Sequence, residues 1–506
     1  MLRNLAANIL GQGWIALLGI VFFPFYISRL GVESYGLIGF YTVLQSWIAL
    51  LDLGMTPAAV RETARLTPDP ASAEAVCDLV RSLQVVTIVL AVLVVLGLWA
   101  LSGPVAVHWL TPQALPRETV AHTLMIIALA AGGRFCEGIH RGVLFGMHRH
   151  LLYNSIYTTL STVRYAGAAL VVMVLPSIEA FFWWQAALSI VIVLALAWAT
   201  RSVLPRLSRR PRFSLEALRR ISRFSGGLSL TGLFAFLFTQ IDKVMVSRFV
   251  DLESFGVYML AVALAGMLPM LAAPIVTTFF PSLSATVAAA DSEQELSLFR
   301  SGTQLIAILA APVIAVFTVM GWRVVLAWTG NPVLASSVAP VLCFIALGTF
   351  CNVALQVPFT LQLAHGWTTL SVRINALGAI LLAPAVYLGF SAYGLVGVAA
   401  AWALINAVVL ILSTVAMHRR LLSGELWRFV RDALVVPLAA SFFAVGCVAL
   451  ALQRSPDRIE NFGIVVLAGG LALLATSVSL PAGWKLLRLL MARLAGFPRV
   501  GVESGK

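Results

Sequence analysis

The chain has 506 residues, of which 60% are hydrophobic and 11% charged, under half the roughly 25% charged that a soluble domain carries. Its 34 Lys and Arg against 21 Asp and Glu give +13 at a mean hydropathy of +0.96. The basic residues fall in short clusters between long apolar runs, which reads as membrane topology, not as a soluble enzyme or a basic nucleic-acid-binding face. Lipid headgroups are the expected partner of that charge, and no nucleic acid is expected. The five cysteines, Cys77, Cys136, Cys343, Cys351 and Cys447, form no C-x-x-C pair, so neither a disulfide framework nor a zinc site is expected.

A helix needs about 20 mostly apolar residues to cross a bilayer. In chain order such runs fall at 9–30, 36–59, 82–104, 119–139, 151–175, 179–200, 224–247, 254–279, 302–322, 336–361, 369–390, 394–416, 433–452 and 462–480. They predict an all-α integral membrane protein of about fourteen spans. The first run is too long for a signal-peptide core and is followed by many like it, so it is read as a span. The longest cytoplasmic connection, 201–223, leaves no room for a soluble catalytic domain. With residue 1 inside, 25 Lys and Arg fall in cytoplasmic connections and 6 outside, leaving Arg134, Arg164 and Lys243 within spans. Because basic residues are retained on the cytoplasmic side, both termini are expected there.

Residues 28–36 read S-R-L-G-V-E-S-Y-G and residues 247–256 read S-R-F-V-D-L-E-S-F-G. Each copy sits at the junction of the first and second span of a six-span unit. An even span count per unit makes the repeat parallel, about an axis along the membrane normal. The expected organisation is an N-lobe over 1–200, a basic cytoplasmic linker over 201–223, a C-lobe over 224–417, and a terminal pair of spans with a cytoplasmic tail over 418–506.

Several motifs in fixed order carry a family resemblance: N-L-A-A-N at 4–8, L-G-V-E-S-Y-G at 30–36, L-D-L-G-M-T-P-A-A-V-R-E-T-A at 51–64, Q-I-D-K-V-M-V-S at 240–247, E-S-F-G-V-Y at 253–258 and F-F-P-S-L-S at 279–284. Together they resemble the polysaccharide flippases of the MATE-like multidrug/oligosaccharidyl-lipid/polysaccharide (MOP) exporter superfamily. The resemblance implies a bacterial inner-membrane protein that moves undecaprenyl-pyrophosphate-linked sugar units from the cytoplasmic to the periplasmic leaflet by alternating access of two lobes. It implies no cofactor, and it implies a polysaccharide polymerase and export machinery as partners.

Charged and polar residues inside spans usually face the bundle interior or a watery cavity. Span 5 carries Asn154, Tyr157, Ser161 and Arg164 on one helical face, and span 4 carries Arg134, Glu137 and Arg141 on another. Span 2 offers Tyr41, Gln45, Asp52 and Thr56, span 1 offers Asn4, Asn8 and Gln12, and span 7 offers Gln240, Asp242, Lys243 and Ser247. The expected cargo-binding residues are Arg164, Arg134, Lys243, Asn154, Tyr157, Gln45 and Asp52, because guanidinium groups offer forked donors to pyrophosphate oxygens. Asp52, Asp242 and Glu137 are the expected coupling carboxylates. Structural readings stand beside these: Arg134 can pair with Glu137 one turn away, and Lys243 with Asp242. Arg164 has no acid within a turn of its own helix, which favours a cargo role and predicts that its removal spares abundance. Arg61 and Glu62 read as a headgroup-level anchor, and the histidines from His140 to His150 as a solvated basic loop with no metal. Prolines at 24, 269, 274, 312, 358 and 384 are expected to bend the spans.

Other readings share the architecture: a lipid II flippase, or a cation-coupled drug exporter of the MATE type using acidic coupling sites. A membrane glycosyltransferase or polymerase would need a sizeable extramembrane loop and a paired-carboxylate, nucleotide or metal motif, which this sequence lacks.

Overall fold

A computed structural model of the chain describes residues 2–494 except 53, 67–71, 208 and 453–454; the side chains of 2–10, 12, 16, 217, 220–231, 486 and 489–494 are likewise outside the description. The polar groups expected on the first span, Asn4, Asn8 and Gln12, therefore lie outside the described residues. Every regular element among the described residues is helical. This follows from the hydrocarbon solvent, where a helix satisfies its own backbone hydrogen bonds.

The helices form two compact units, Met1–Met259 and Leu260–Lys506. The first contains α1 (Leu2–Leu30), α2 (Val32–Leu50), α3 (Met55–Leu66), α4 (Ala73–His108), α5 (Arg117–Gly146), α6 (His150–Val174), α7 (Ile178–Val203), α8 (Leu215–Phe249) and the start of α9 (Leu252–Ala265). The second holds the rest of α9, then α10 (Met267–Ala288), α11 (Ser292–Val319), α12 (Gly321–Thr329), α13 (Pro332–Ala354), α14 (Gln356–Ala364) and α15 (Thr369–Arg420). It ends with α16 (Leu426–Phe429), a π-helical turn (Val430–Val435), α17 (Val436–Ala451), α18 (Arg458–Ser479) and α19 (Pro481–Leu494). Helix α8 and the start of α9 thus pack with the first unit although their spans were assigned to the second repeat.

Eleven of these segments are long and apolar enough to cross a membrane, or twelve with α2 and α3 taken as one span bent by 51°. Helix α15 has 52 residues, about 78 Å at 1.5 Å per residue, far more than a hydrocarbon core of about 30 Å. It breaks at Tyr393 and Gly394, where Gly394 takes φ 58°, a backbone conformation that costs glycine little. That break falls between the apolar runs 369–390 and 394–416.

Two of the six expected prolines stand just after a helix break, and four, among them Pro274 within α10, do not. Helices α1, α11 and α15 run through Pro24, Pro312 and Pro384. Pro269 and Pro358 instead lie in the first turn of α10 and α14, where a missing backbone N–H leaves no hydrogen bond unmade.

The repeated E-S-[YF]-G motifs meet within the first unit. A Cβ at Gly36 would strike the Leu252 carbonyl, and one at Gly256 would strike the Val32 carbonyl. Val32 and Leu252 hold matching places in the two copies, as do Gly36 and Gly256, so the contact is reciprocal, as a twofold relation requires. Glu33 goes elsewhere: its carboxylate accepts the backbone N–H groups of Gln113, Ala114 and Leu115 at 2.6, 2.8 and 2.8 Å and ties the α4–α5 connection to the start of α2.

Candidate functional site

The bend between α2 and α3 opens one wall of a cavity of about 590 Å³. Irregular backbone at membrane depth is tolerated where it lines such a space. Asp52, at the bend, accepts from the backbone N–H of Thr56 at 3.1 and 3.2 Å and from its hydroxyl at 2.8 Å, so this carboxylate starts α3. Helix α5 supplies Arg134, Glu137 and Arg141 to the cavity, and α6 supplies Tyr153 and Tyr157, whose rings stack at 5.3 Å and 13°. A second, inner chamber of about 140 Å³ shares Thr42, Gln45, Arg134 and Tyr157 with the first. Its other walls come from α1, α6 and α7 and include Tyr26, Arg164, Tyr165, Phe181 and Gln185.

The two arginines differ in a way the sequence did not reveal. Glu137 is not the partner of Arg134, one turn away on α5; it reaches across to α6 and pairs with Arg164 at 2.9 Å, with both side chains almost fully buried at 5% and 6% exposure. The acid that Arg164 lacks on its own helix is supplied by the neighbouring one. Trp184 Nε1 also donates to the Arg164 backbone carbonyl at 3.1 Å. Arg134 is left with no ion-pair partner among the described residues. Its hydrogen-bonding neighbour is the Tyr41 hydroxyl, and its guanidinium lines both spaces.

The polar face of α6 divides among three neighbours. Tyr157 borders both spaces, Ser161 and Arg164 the inner chamber alone. Asn154 sits against Gly11 of α1, where a Cβ would come within 3.5 Å of its Oδ1. Gln45 of α2 borders both spaces, and its Nε2 is buried without a hydrogen-bond partner.

Asp242 and Lys243 line neither space. They pair with each other at 3.1 Å; Tyr258 donates to Asp242 at 2.6 Å, and Lys243 donates to the Thr239 carbonyl at 2.6 Å. His140 is buried with its Nδ1 3.1 Å from the Thr200 hydroxyl, so it belongs to the α5–α7 contact and not to a solvated loop. Glu62 pairs with Arg65 at 2.8 Å.

Sequence reasoning missed the inner chamber's α7 wall. The signal available was Gln185, a lone amide in the otherwise apolar F-F-W-W-Q-A-A-L segment.

The fold is similar to that of several solved membrane transporters. It is similar to the lipid II flippase MurJ in an inward closed conformation, with TM-score 0.71 and 11% identity over 97% of this chain and 100% of that one. It is also similar to a multidrug resistance MATE family transporter in an inward-facing conformation, with TM-score 0.66 and 12% identity over 82% of this chain and 95% of that one. A third is an outward-facing conformation of a multidrug resistance MATE family transporter, with TM-score 0.56 and 14% identity over 84% of this chain and 96% of that one. No curated protein matches the chain in sequence. Residues 1–287 match the family described as polysaccharide biosynthesis protein, and the chain belongs to that family.

Proposed function

We propose that this protein is a flippase that moves undecaprenyl-pyrophosphate-linked oligosaccharide from the cytoplasmic to the periplasmic leaflet of the bacterial inner membrane, without catalysis and without a cofactor. The observation that carries the reading is Arg134, a guanidinium with no ion-pair partner among the described residues, in the wall of a 590 Å³ cavity among apolar helices. An uncompensated charge at that depth is costly and is retained where it meets an ion of opposite sign. A pyrophosphate is such an ion, and the guanidinium fork suits its oxygens. Membership of a polysaccharide biosynthesis family supports a sugar-bearing lipid as its carrier.

The topology proposed for this transport has fourteen spans with both termini cytoplasmic, counting α15 as two spans and α8, α9 with α10, and α13 with α14 as one each. Two six-span lobes, 1–200 and 224–417, rock about the cargo, joined by the linker 201–223 and followed by the pair in 418–506. The reciprocal contact of Gly36 and Gly256 supports their parallel repeat. Arg141 and the Asp52 bend then lie toward the cytoplasm, where cargo enters. A polysaccharide polymerase and export machinery would receive the flipped unit.

Cation-coupled drug export would favour a carboxylate left available in the cavity. Asp52 is engaged by Thr56, Glu137 by Arg164 and Asp242 by Lys243 and Tyr258, so the anionic-cargo reading is preferred. Lipid II carries the same pyrophosphate chemistry, and the intermediate that accumulates on gene deletion separates the two cargos.

The test is Arg134→Ala in a deletion strain. Membrane abundance is expected to stay near normal while surface glycan falls at least about tenfold, the loss expected for one charge-assisted hydrogen bond to the cargo. Arg134→Lys should rescue in part, since a point charge replaces a fork. Wild-type export by Arg134→Ala would sink the reading.

A further inference from the structure

The inner chamber has a guanidinium of its own, Arg164, beside Arg134, which it shares with the cavity it adjoins. Arg134 borders both spaces without an ion-pair partner among the described residues, whereas Arg164, which borders the chamber alone, is paired with Glu137 at 2.9 Å. Arg134 can thus hold an anion where the two spaces meet, and the rest of the chamber, whose own arginine is neutralised, suits a neutral group.

That neutral group must carry acceptors. Two residues lining the chamber hold a buried donor without a hydrogen-bond partner, Arg164 at Nε and Gln45 at Nε2, and Arg164 as a residue is 5% exposed. A buried donor left unmade costs about 1–3 kcal/mol. Gln185, 7% exposed, adds a third polar group from α7. The remaining wall is largely aromatic, with Tyr26 and Phe181 edge to face at 5.1 Å and with Tyr157 and Tyr165 completing it. Aromatic walls with a few converging polar groups are how small-molecule sites fix orientation. An isoprenoid chain would cover the rings but strand the donors. A pyranose has hydroxyl acceptors around its rim and C–H faces to lay against rings, so it fits both.

We propose that the inner chamber is a sugar-ring subsite. It takes the sugar bonded directly to the pyrophosphate, with Gln45 and Arg164 donating to its hydroxyls while Arg134, common to both spaces, holds the phosphate where they meet. The proposal rests on the cargo reading above and adds where glycan selectivity resides. No covalent step is involved.

The experiment uses the purified full chain and two probes, undecaprenyl pyrophosphate and the undecaprenyl-pyrophosphate glycan extracted from the deletion strain, with Kd measured for the wild type, Gln45→Leu and Gln185→Leu. Both variants are expected to bind the glycan lipid about tenfold more weakly, the loss of about one buried hydrogen bond, and undecaprenyl pyrophosphate within about twofold of wild type. Because Gln185 borders only the chamber, it tests the subsite even where Gln45→Leu unfolds. Equal weakening of both probes by Gln185→Leu, or no weakening of either by both variants, would overturn the subsite, the latter meaning a chamber that holds water only. A wild type that binds neither probe would instead defeat the cargo reading, so the two failures are distinguishable.

Discussion

In the second unit, Arg323 and Arg458 close helix ends, and Arg300 meets one from outside. Arg323 of α12 donates to the Leu452 carbonyl at 2.5 Å, and Arg458 donates to the Ala327 and Trp328 carbonyls at the end of α12, both at 2.8 Å. Arg300 of α11 forks onto Glu425 just before α16 at 2.7 and 3.0 Å. In the first unit, Arg134 and Arg164 sit in the middle of α5 and α6, where backbone carbonyls are already taken by the helices. Helix ends offer four orphan carbonyls each and so absorb cations without further help. Mid-helix cations need a carboxylate or a ligand. Position along the helix thus separates charges that build the fold from charges left over for cargo, and Arg164 and Arg134 show the two outcomes side by side.

The largest effect that tests this contrast belongs to the buried pair. Removing one partner leaves an uncompensated buried ion, at a cost of about 3–5 kcal/mol. Glu137→Gln and Arg164→Ala are each expected to lower the thermal unfolding temperature in detergent and to reduce abundance, whereas replacing both residues with apolar side chains should recover most of the loss. This reverses the expectation that Arg164 can be removed at normal abundance, because its acid partner lies on another helix. Single variants as stable as the wild type would erase the distinction between Arg164 and Arg134.

An intermediate effect is expected at the end of α12. Arg458→Ala removes two charge-assisted hydrogen bonds to carbonyls, each worth about 1.5–3 kcal/mol where shielded and less at an exposed edge. The expected loss is therefore about 1–3 kcal/mol in all, read as a smaller fall in unfolding temperature than for Glu137→Gln, with cargo binding unchanged. A fall as large as that of Glu137→Gln would mean that helix-end charges matter as much as mid-span ones.

The sequence made the spans legible because the hydrocarbon core imposes a length: the apolar runs at 369–390 and 394–416 straddle the Gly394 break, and the run at 82–104 sits inside the longer α4 of 36 residues. Periodicity also placed Arg134 and Tyr157 on faces that line the cavity. It could not choose partners between helices. Glu137 follows Arg134 by three residues, yet its carboxylate crosses to α6, and no spacing within one helix encodes that. Asn154 lies on the same face as Tyr157 but meets α1 because one helix face packs against several neighbours. The α7 wall stayed hidden for a related reason: Gln185 stands alone in its helix, with no polar stripe to announce it.

The smallest effect is expected at Arg300 and Glu425, and it checks whether position rather than charge decides. The fork is well formed at 2.7 and 3.0 Å, but the Arg300 side chain is 35% exposed and Glu425 20%. Water screens both, and exposed pairs contribute about 0.2–1 kcal/mol. Glu425 also has a second cation, Arg428, at 3.6 Å, so losing Arg300 does not strand it. Arg300→Ala should therefore shift the unfolding temperature least of the three, and the shift should shrink further as salt is raised, because exposed charges are screened within about 10 Å at 0.1 M ionic strength. The Glu137–Arg164 penalty, shielded from solvent, should change little over the same salt range. An Arg300→Ala loss that matches Glu137→Gln and resists salt would show that a well-formed ion pair stabilises this fold wherever it sits, and the division between helix-end and mid-span charges would fall with it.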